Sequence, residues 1–394
     1  MGTAMIDGLA GQMTYLAGLR TEGGAVVAPW GPGDQPLNMA IPATGITDIA
    51  PALGGRGGIL LSAQSCYLHR TIGANPDQGA LVMDAGVGGL NLDKMLIGQL
   101  QGDNYYYMLG EVARLAVDQD LDVTCGEIIH YIGTSSKSES YAVALGNINL
   151  VWDQQQDWCE TTWGQRPGII AGQTGGDCNT APDPYDVTMA QYDAVRDRGG
   201  EIATSQRIWT INDNNIHTDI DVSVMIGEVI DWCREERDAA RKWTPWASIT
   251  KSGATVTVSF DLRPGETLVN RSDFYDDHGG AAVTAPNFGF EADGGIVSAV
   301  PDLDGNTVVV TLASASATWF RFAMQRQDVL AYGVPSGGLT YNQSAHRTTL
   351  FPSETRASRF YPDRTLWRSL PSFHVLFDGD QVNRLDGTPF EGAP

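Results

Sequence analysis

Cations are scarce in this chain: 25 Lys+Arg stand against 47 Asp+Glu among 394 residues, a formal net charge of −22. Nonspecific nucleic-acid affinity comes from cations that neutralise phosphates, and docking on an anionic bilayer needs basic surface too. The balance speaks against both partners. It is compatible with solubility, a salty medium or a neutral ligand, and does not choose among them. Long apolar runs are also missing. None reaches the roughly 18 residues that span a bilayer, so no membrane insertion is expected. The opening stretch MGTAMIDGLAGQMTYLAG has no basic segment followed by an apolar one, and no secretion leader is expected. Cysteine is sparse and odd in number. Cys66, Cys125, Cys159, Cys178 and Cys233 show neither CxxC nor a Cys/His ligand spacing, and read as mostly reduced thiols. A bridge from Cys159 to Cys178, across the loops that flank a strand, is the one pairing considered, and it is not expected to form.

What is present suits a folded chain. Hydrophobic residues make up 42% and charged residues 18%, which excludes wholesale disorder. The length suggests two or three domains. Up to residue 245, apolar strands alternate with amphipathic helices. Strands are predicted at 80–84, 127–132, 168–171 and 206–211, and helices over 104–117, 140–152, 187–196 and from about Thr218, where Asp221 makes a partial capping box. Such alternation implies a parallel sheet covered on both faces. After Trp246 the period becomes two: Val256, Val258 and Phe260 alternate with Thr and Ser, as do Val308 and Val310 behind the hairpin signal Asp304-Gly305-Asn306. A small β domain, a sandwich, is expected over 246–332. The last stretch, 333–394, is rich in Gly, Pro and Ser and is expected to wrap over another surface, anchored by Trp367, Phe373 and Phe377.

Three constellations could carry chemistry. Gly86-Val87-Gly88-Gly89-Leu90-Asn91 follows a strand, but Asn91 stands where a dinucleotide fingerprint needs its third glycine. A tight turn is the simpler reading, although the carboxyl edge of an α/β sheet is where ligands bind and these amides could line a pocket. Asp213-Asn214-Asn215-Ile216-His217 precedes the last helix. It offers either a general base oriented by a polar neighbour or a set of capping residues. A nucleophile is harder to find, since no GxSxG elbow occurs. Ser65 follows an apolar run but also fits a helix through Ile59, Ala63, Cys66 and Ile72. Asp302-Leu303-Asp304-Gly305-Asn306 is half a calcium loop without its distal Glu, and a hairpin turn explains it better. No metal or cofactor is expected.

The order of these parts resembles the SGNH/GDSL hydrolases, closest to the sialate O-acetylesterase-like carbohydrate esterases, some of which carry an appended β domain and occur on phage virions. The resemblance covers about residues 5–240 and rests on the Gly86 to Asn91 segment, on Tyr131-Ile132-Gly133-Thr134-Ser135-Ser136 and on the N-x-x-H of Asn214 to His217. It implies a three-layer α/β/α, flavodoxin-like domain over 1–245, with Gly88, Gly89 and Gly133 near an oxyanion site. The departures are as informative. The family opens with G-Q-S, whereas the best-placed match here is Gly11-Gln12-Met13; Ala63-Gln64-Ser65 is the alternative, closer to Gly88 than the family's usual gap. The third block lacks its acidic residue at Thr134 to Ser136, and Asn214 replaces the acid of D-x-x-H unless Asp213 serves. Methionine cannot attack an acyl carbonyl, and asparagine cannot stabilise an imidazolium as a carboxylate does. The resemblance therefore implies a degenerate hydrolase on a phage or phage-like spike or fibre. Gln12, Gly88, Gly89, Asn91 and Gly133 would line a cleft for cell-surface polysaccharide. Other virion proteins and further copies of the chain are the expected partners, and a virion-surface or extracellular place is expected. The runner-up is an active carbohydrate O-acetylesterase using Ser65 and His217.

Overall fold

A computed structural model describes residues 91–118, 120, 122–131, 136, 138–174, 185–209, 220–271, 285–324 and 348–391, with the backbone of five short strands ahead of them. Those strands are β1 (Thr14–Leu16), β2 (Arg20–Glu22), β3 (Ala25–Val27), β4 (Ala50–Pro51) and β5 (Ala80–Val82). β5 runs parallel to β1, and β4 antiparallel to it. Helix α1 (Leu100–Asp118) leads to β6 (Glu127–His130), α2 (Tyr141–Trp163), β7 (Gly168–Gln173), α3 (Tyr185–Asp197), β8 (Glu201–Ser205) and α4 (Ile220–Asp238).

Strands β6, β7 and β8 form a parallel three-stranded sheet in that order. Helices cover it on both faces. Ile169, Ala171 and Ile202 join the cluster of α2 and α3, while Ile170 and Ala203, one residue out of phase, join that of α4. The apolar run Ile169-Ile170-Ala171 of the central strand β7 is what burial on both faces requires. The free edge of β8 is capped by side chains: Ile202 N–H donates to Thr244 Oγ1 at 2.8 Å, and Trp243 Nε1 donates to the Ile202 carbonyl at 3.0 Å. An unpaired edge is thereby removed.

Two expectations need correction here. The strand expected at 206–211 is not found over its described part, 206–209: β8 ends at Ser205, and Gln206–Ile208 is a 3-10 turn. The indole of Trp209 donates back to Thr204 Oγ1 at 2.7 Å, folding the turn onto the strand, so the consecutive apolar pair Ile208 and Trp209 is buried without alternating. Segment 80–84 contributes β5, but its described partner is β1, in a sheet separate from β6, β7 and β8 among the described pairings. The capping residue Thr218 lies outside the described residues.

Beyond the helices come β9 (Ala247–Ser252), β10 (Thr255–Phe260), β11 (Leu268–Asn270), β12 (Phe290–Ala292), β13 (Ile296–Pro301), β14 (Thr307–Leu312) and β15 (Trp319–Phe322). Then follow β16 (Leu350–Pro352), β17 (Thr355–Ala357), β18 (Thr365–Trp367), β19 (Phe373–Asp378) and β20 (Gln381–Asn383). One antiparallel sheet has the order β13-β14-β10-β9 and another β12-β15-β19-β20. Val256, Val258, Phe260, Val308 and Val310 are all fully buried, on the face that their two-residue period marks. They share a cluster with Phe320, Phe322, Phe373 and Phe377, and the rings of Phe260 and Phe322 are 5.7 Å apart. The stretch expected only to wrap thus also supplies paired strands, and Trp367, Phe373 and Phe377 are buried. The fold is mixed α/β: a parallel sheet with helices beside several antiparallel sheets. No helix among the described residues is long and apolar enough to cross a membrane.

Candidate functional site

In a parallel α/β sheet, ligands gather beyond the carboxyl ends of the strands. Here those ends are His130 and Tyr131 on β6, Gln173 and Thr174 on β7, and Ser205 and Gln206 on β8. Two of the three are occupied by the chain itself. Ser372 N–H donates to Gln173 Oε1 at 2.7 Å, and Gln173 Nε2 returns a bond to the Ser372 carbonyl at 2.8 Å. Ser205 N–H donates to Ser369 Oγ at 3.2 Å, and the hydroxyls of Ser205 and Ser372 lie 3.2 Å apart. All of these groups are buried, where a paired amide is stabilising and an unpaired one costly. Among the described residues the C-terminal stretch therefore covers the carboxyl ends of β7 and β8, and forms no such bond at the end of β6.

On that side the structure joins two of the segments singled out in the sequence. Leu92 N–H, the first amide after Asn91, donates to the buried Ser136 Oγ at 3.0 Å. Asn91 is the N-cap of a 3-10 turn, Leu92–Met95, whose carbonyl accepts from Lys94 N–H at 3.1 Å. Leu92 and Met95 pack into the same core as Tyr141, Ile148 and Val151. The downstream end of the glycine segment is thus fixed to the end of the Gly133 block.

His130 and Tyr131 point to opposite faces, as successive strand residues must. His130 is buried, and Trp152 Nε1 donates to its Nδ1 at 2.8 Å. An acceptor Nδ1 leaves the proton on Nε2, so the ring is neutral, and burial pushes its pKa down to about 4. Nε2 has no partner among the described residues. Tyr131 lies against Gly172 on the neighbouring strand so closely that any Cβ at 172 would overlap its ring. Its buried hydroxyl is pushed well above the usual phenol range by loss of solvent. Sequence reading overlooked His130, Gln173 and Ser372. The first two were legible as polar residues ending apolar strands, whereas Ser372 carried no local signal.

Gln12, Met13, Ser65, Gly88, Gly89, Gly133, Asn214 and His217 lie outside the described residues, and so does the distance from Ser65 Oγ to His217 Nε2. Asn91 and Ser136 are the described ends of their blocks. Among the described residues no group of three His, Cys, Asp or Glu could hold a metal ion. Asp302 does what a turn residue does: its carbonyl accepts from Gly305 N–H at 3.2 Å and its Oδ1 from Asp304 N–H at 3.2 Å.

No family model matches this chain, and no curated protein does. Among solved structures it is similar to a carbohydrate acetylesterase from Xanthomonas citri, with a TM-score of 0.48 and 15% identity, over 80% of this chain. The match spans 63% of that protein's length.

Proposed function

We propose that the chain is a surface-binding component of spike or fibre type, on a phage or phage-like virion, whose SGNH-hydrolase-like domain holds cell-surface glycan without cleaving its esters. The observation that carries this reading is the bond from Leu92 N–H to Ser136 Oγ. It gathers the ends of two hydrolase-like blocks beside β6, while the block it fixes reads Gly133-Thr134-Ser135-Ser136 and offers no acid. On this reading the cleft is retained and the chemistry is lost. Met13 in place of a nucleophile and Asn214 in place of the acid point the same way, and losing the nucleophile alone costs on the order of a million-fold in such triads. Residues 1–245 then form the three-layer hydrolase-like domain, 246–332 a β-sandwich and 333–394 a strap across both. Weak binding per site would be strengthened by several copies on one particle.

Acetylated polysaccharide is the ligand to try. The wild-type protein is expected to bind it and to release no more acetate than His217→Ala. Turnover that His217→Ala abolishes would favour the second reading, a carbohydrate O-acetylesterase. That reading draws on Ala63-Gln64-Ser65 behind an apolar run, the one place where a serine stands in the opening motif.

A further inference from the structure

Cys125 and Cys159 are separated by 34 residues in sequence, yet their Sγ atoms are 3.0 Å apart. Both are free thiols. Cys125 belongs to the stretch leading into β6 and is part exposed; Cys159 is buried near the end of α2. The approach is held from both sides. Cys125 N–H donates to Gln165 Oε1 at 3.0 Å, just beyond α2, and Gln156 Nε2, on the same helix, donates to the Pro167 carbonyl at 2.8 Å. A disulfide needs its sulfurs at about 2.05 Å, and here they already stand in contact at 3.0 Å.

We propose that Cys125 and Cys159 are a disulfide-forming pair, closed by exchange with a small-molecule disulfide such as oxidised glutathione when the protein meets an oxidising medium. Exposure assigns the order of events: the part-exposed Cys125 meets the small disulfide first, and the buried Cys159 follows. The contact between the two sulfurs draws the Cys125 thiol below its ordinary pKa, while the same contact, with burial, holds Cys159 above it. The Cys125 thiolate attacks one sulfur of the small disulfide, and the released small thiolate takes up a proton. Cys159 then attacks the Cys125 sulfur of the mixed disulfide, its proton passing to the second small thiolate as that leaves. Two protein thiols are oxidised to one disulfide, and one small disulfide is reduced to two thiols. The bond ties the lead-in of β6 to α2. It thus fixes the amino end of the strand whose carboxyl end carries His130, Tyr131 and the Gly133 block. This inference does not depend on the glycan reading.

Peptide mapping of the full-length protein tests it. Folded protein is incubated with oxidised glutathione, the remaining thiols are alkylated and the digest is read without reduction. The expected result is a linked pair of peptides carrying Cys125 and Cys159, an intact mass about 2 Da below the reduced protein, and reversal by reductant. The linked pair should be absent from Cys125→Ser and Cys159→Ser. Alkylation of both residues after oxidation, a stable glutathione adduct on Cys125 with Cys159 still alkylated, or a bridge from Cys159 to Cys178 would each overturn the proposal. The wild-type mapping alone decides the matter if either variant fails to fold.

Discussion

Around the parallel sheet, charge is buried between helices and the C-terminal stretch. Glu127 meets Arg234 at 2.7 Å and Arg237 at 2.6 Å, and Asp193 receives the Tyr141 hydroxyl at 2.8 Å beside Arg196. Arg384 reaches the buried Asp193 at 3.6 Å and the exposed Asp197 at 2.8 Å, while the fully buried Arg368 joins Glu266 and the Trp243 carbonyl. Between the two four-stranded sheets the interior is Val, Leu and Phe, with rings such as Phe290 and Phe320 stacked 5.5 Å apart. One region is organised by directional polar contacts and the other by area removed from water. The first should respond to single charge deletions, the second to lost volume.

That contrast can be broken at several points, and the largest effect is expected in the β layers. Phe322→Ala removes a fully buried ring and should cost about 3–5 kcal/mol in urea unfolding, with little dependence on salt. Next comes Arg368→Ala. It leaves Glu266 buried without its cation and should cost about 3 kcal/mol or more, whereas Arg368→Met, if the stretch repacks, should cost much less. A similar loss for both variants would mean that packing rather than charge holds the strap.

Acid should act on both regions, since burial lowers the pKa of His374 on β19 to about 4 as it does that of His130 on β6. His130 has its pKa lowered to about 4 in the folded protein, against about 6.5 unfolded. Below pH 6.5 the unfolded chain takes up a proton that the folded chain refuses. The stability this histidine contributes is therefore complete above that pH and is lost as the pH falls towards 4, by about 3 kcal/mol in all. Urea midpoints across that window should fall in the wild type and fall less in His130→Gln. The smallest effect is expected from Gln173→Leu. It strands the Ser372 amide and carbonyl and should cost about 2 kcal/mol, with faster proteolysis of the C-terminal stretch as a second readout.

The two regions were unequally legible in the sequence. A period of two is unambiguous where strands have one wet face, and it placed Val256, Val258 and Phe260 inside. The helices α3 and α4 were equally plain from their spacing, whereas α2 runs on to Trp163, well past the expected end at 152. Strand β8 was misplaced because Glu201–Ser205 offers few apolar residues, Glu201 being satisfied by Thr244 N–H, Thr204 by the Trp209 indole and Ser205 by Ser372, while Ile208 and Trp209 mimic a strand from a turn. The plug at Ser369 and Ser372 was invisible, since its partners lie 164 and 199 residues away. Of the candidate site, Asn91 and Ser136 are joined through Leu92, a contact across 44 residues that no local pattern encodes.

The central claim, a hydrolase-like cleft without a working nucleophile, meets its most direct test in covalent labelling. Folded protein exposed to a fluorophosphonate probe should carry no adduct on Ser65, in wild type and His217→Ala alike. An adduct on Ser65 that disappears in His217→Ala would contradict the claim and make the chain a serine esterase.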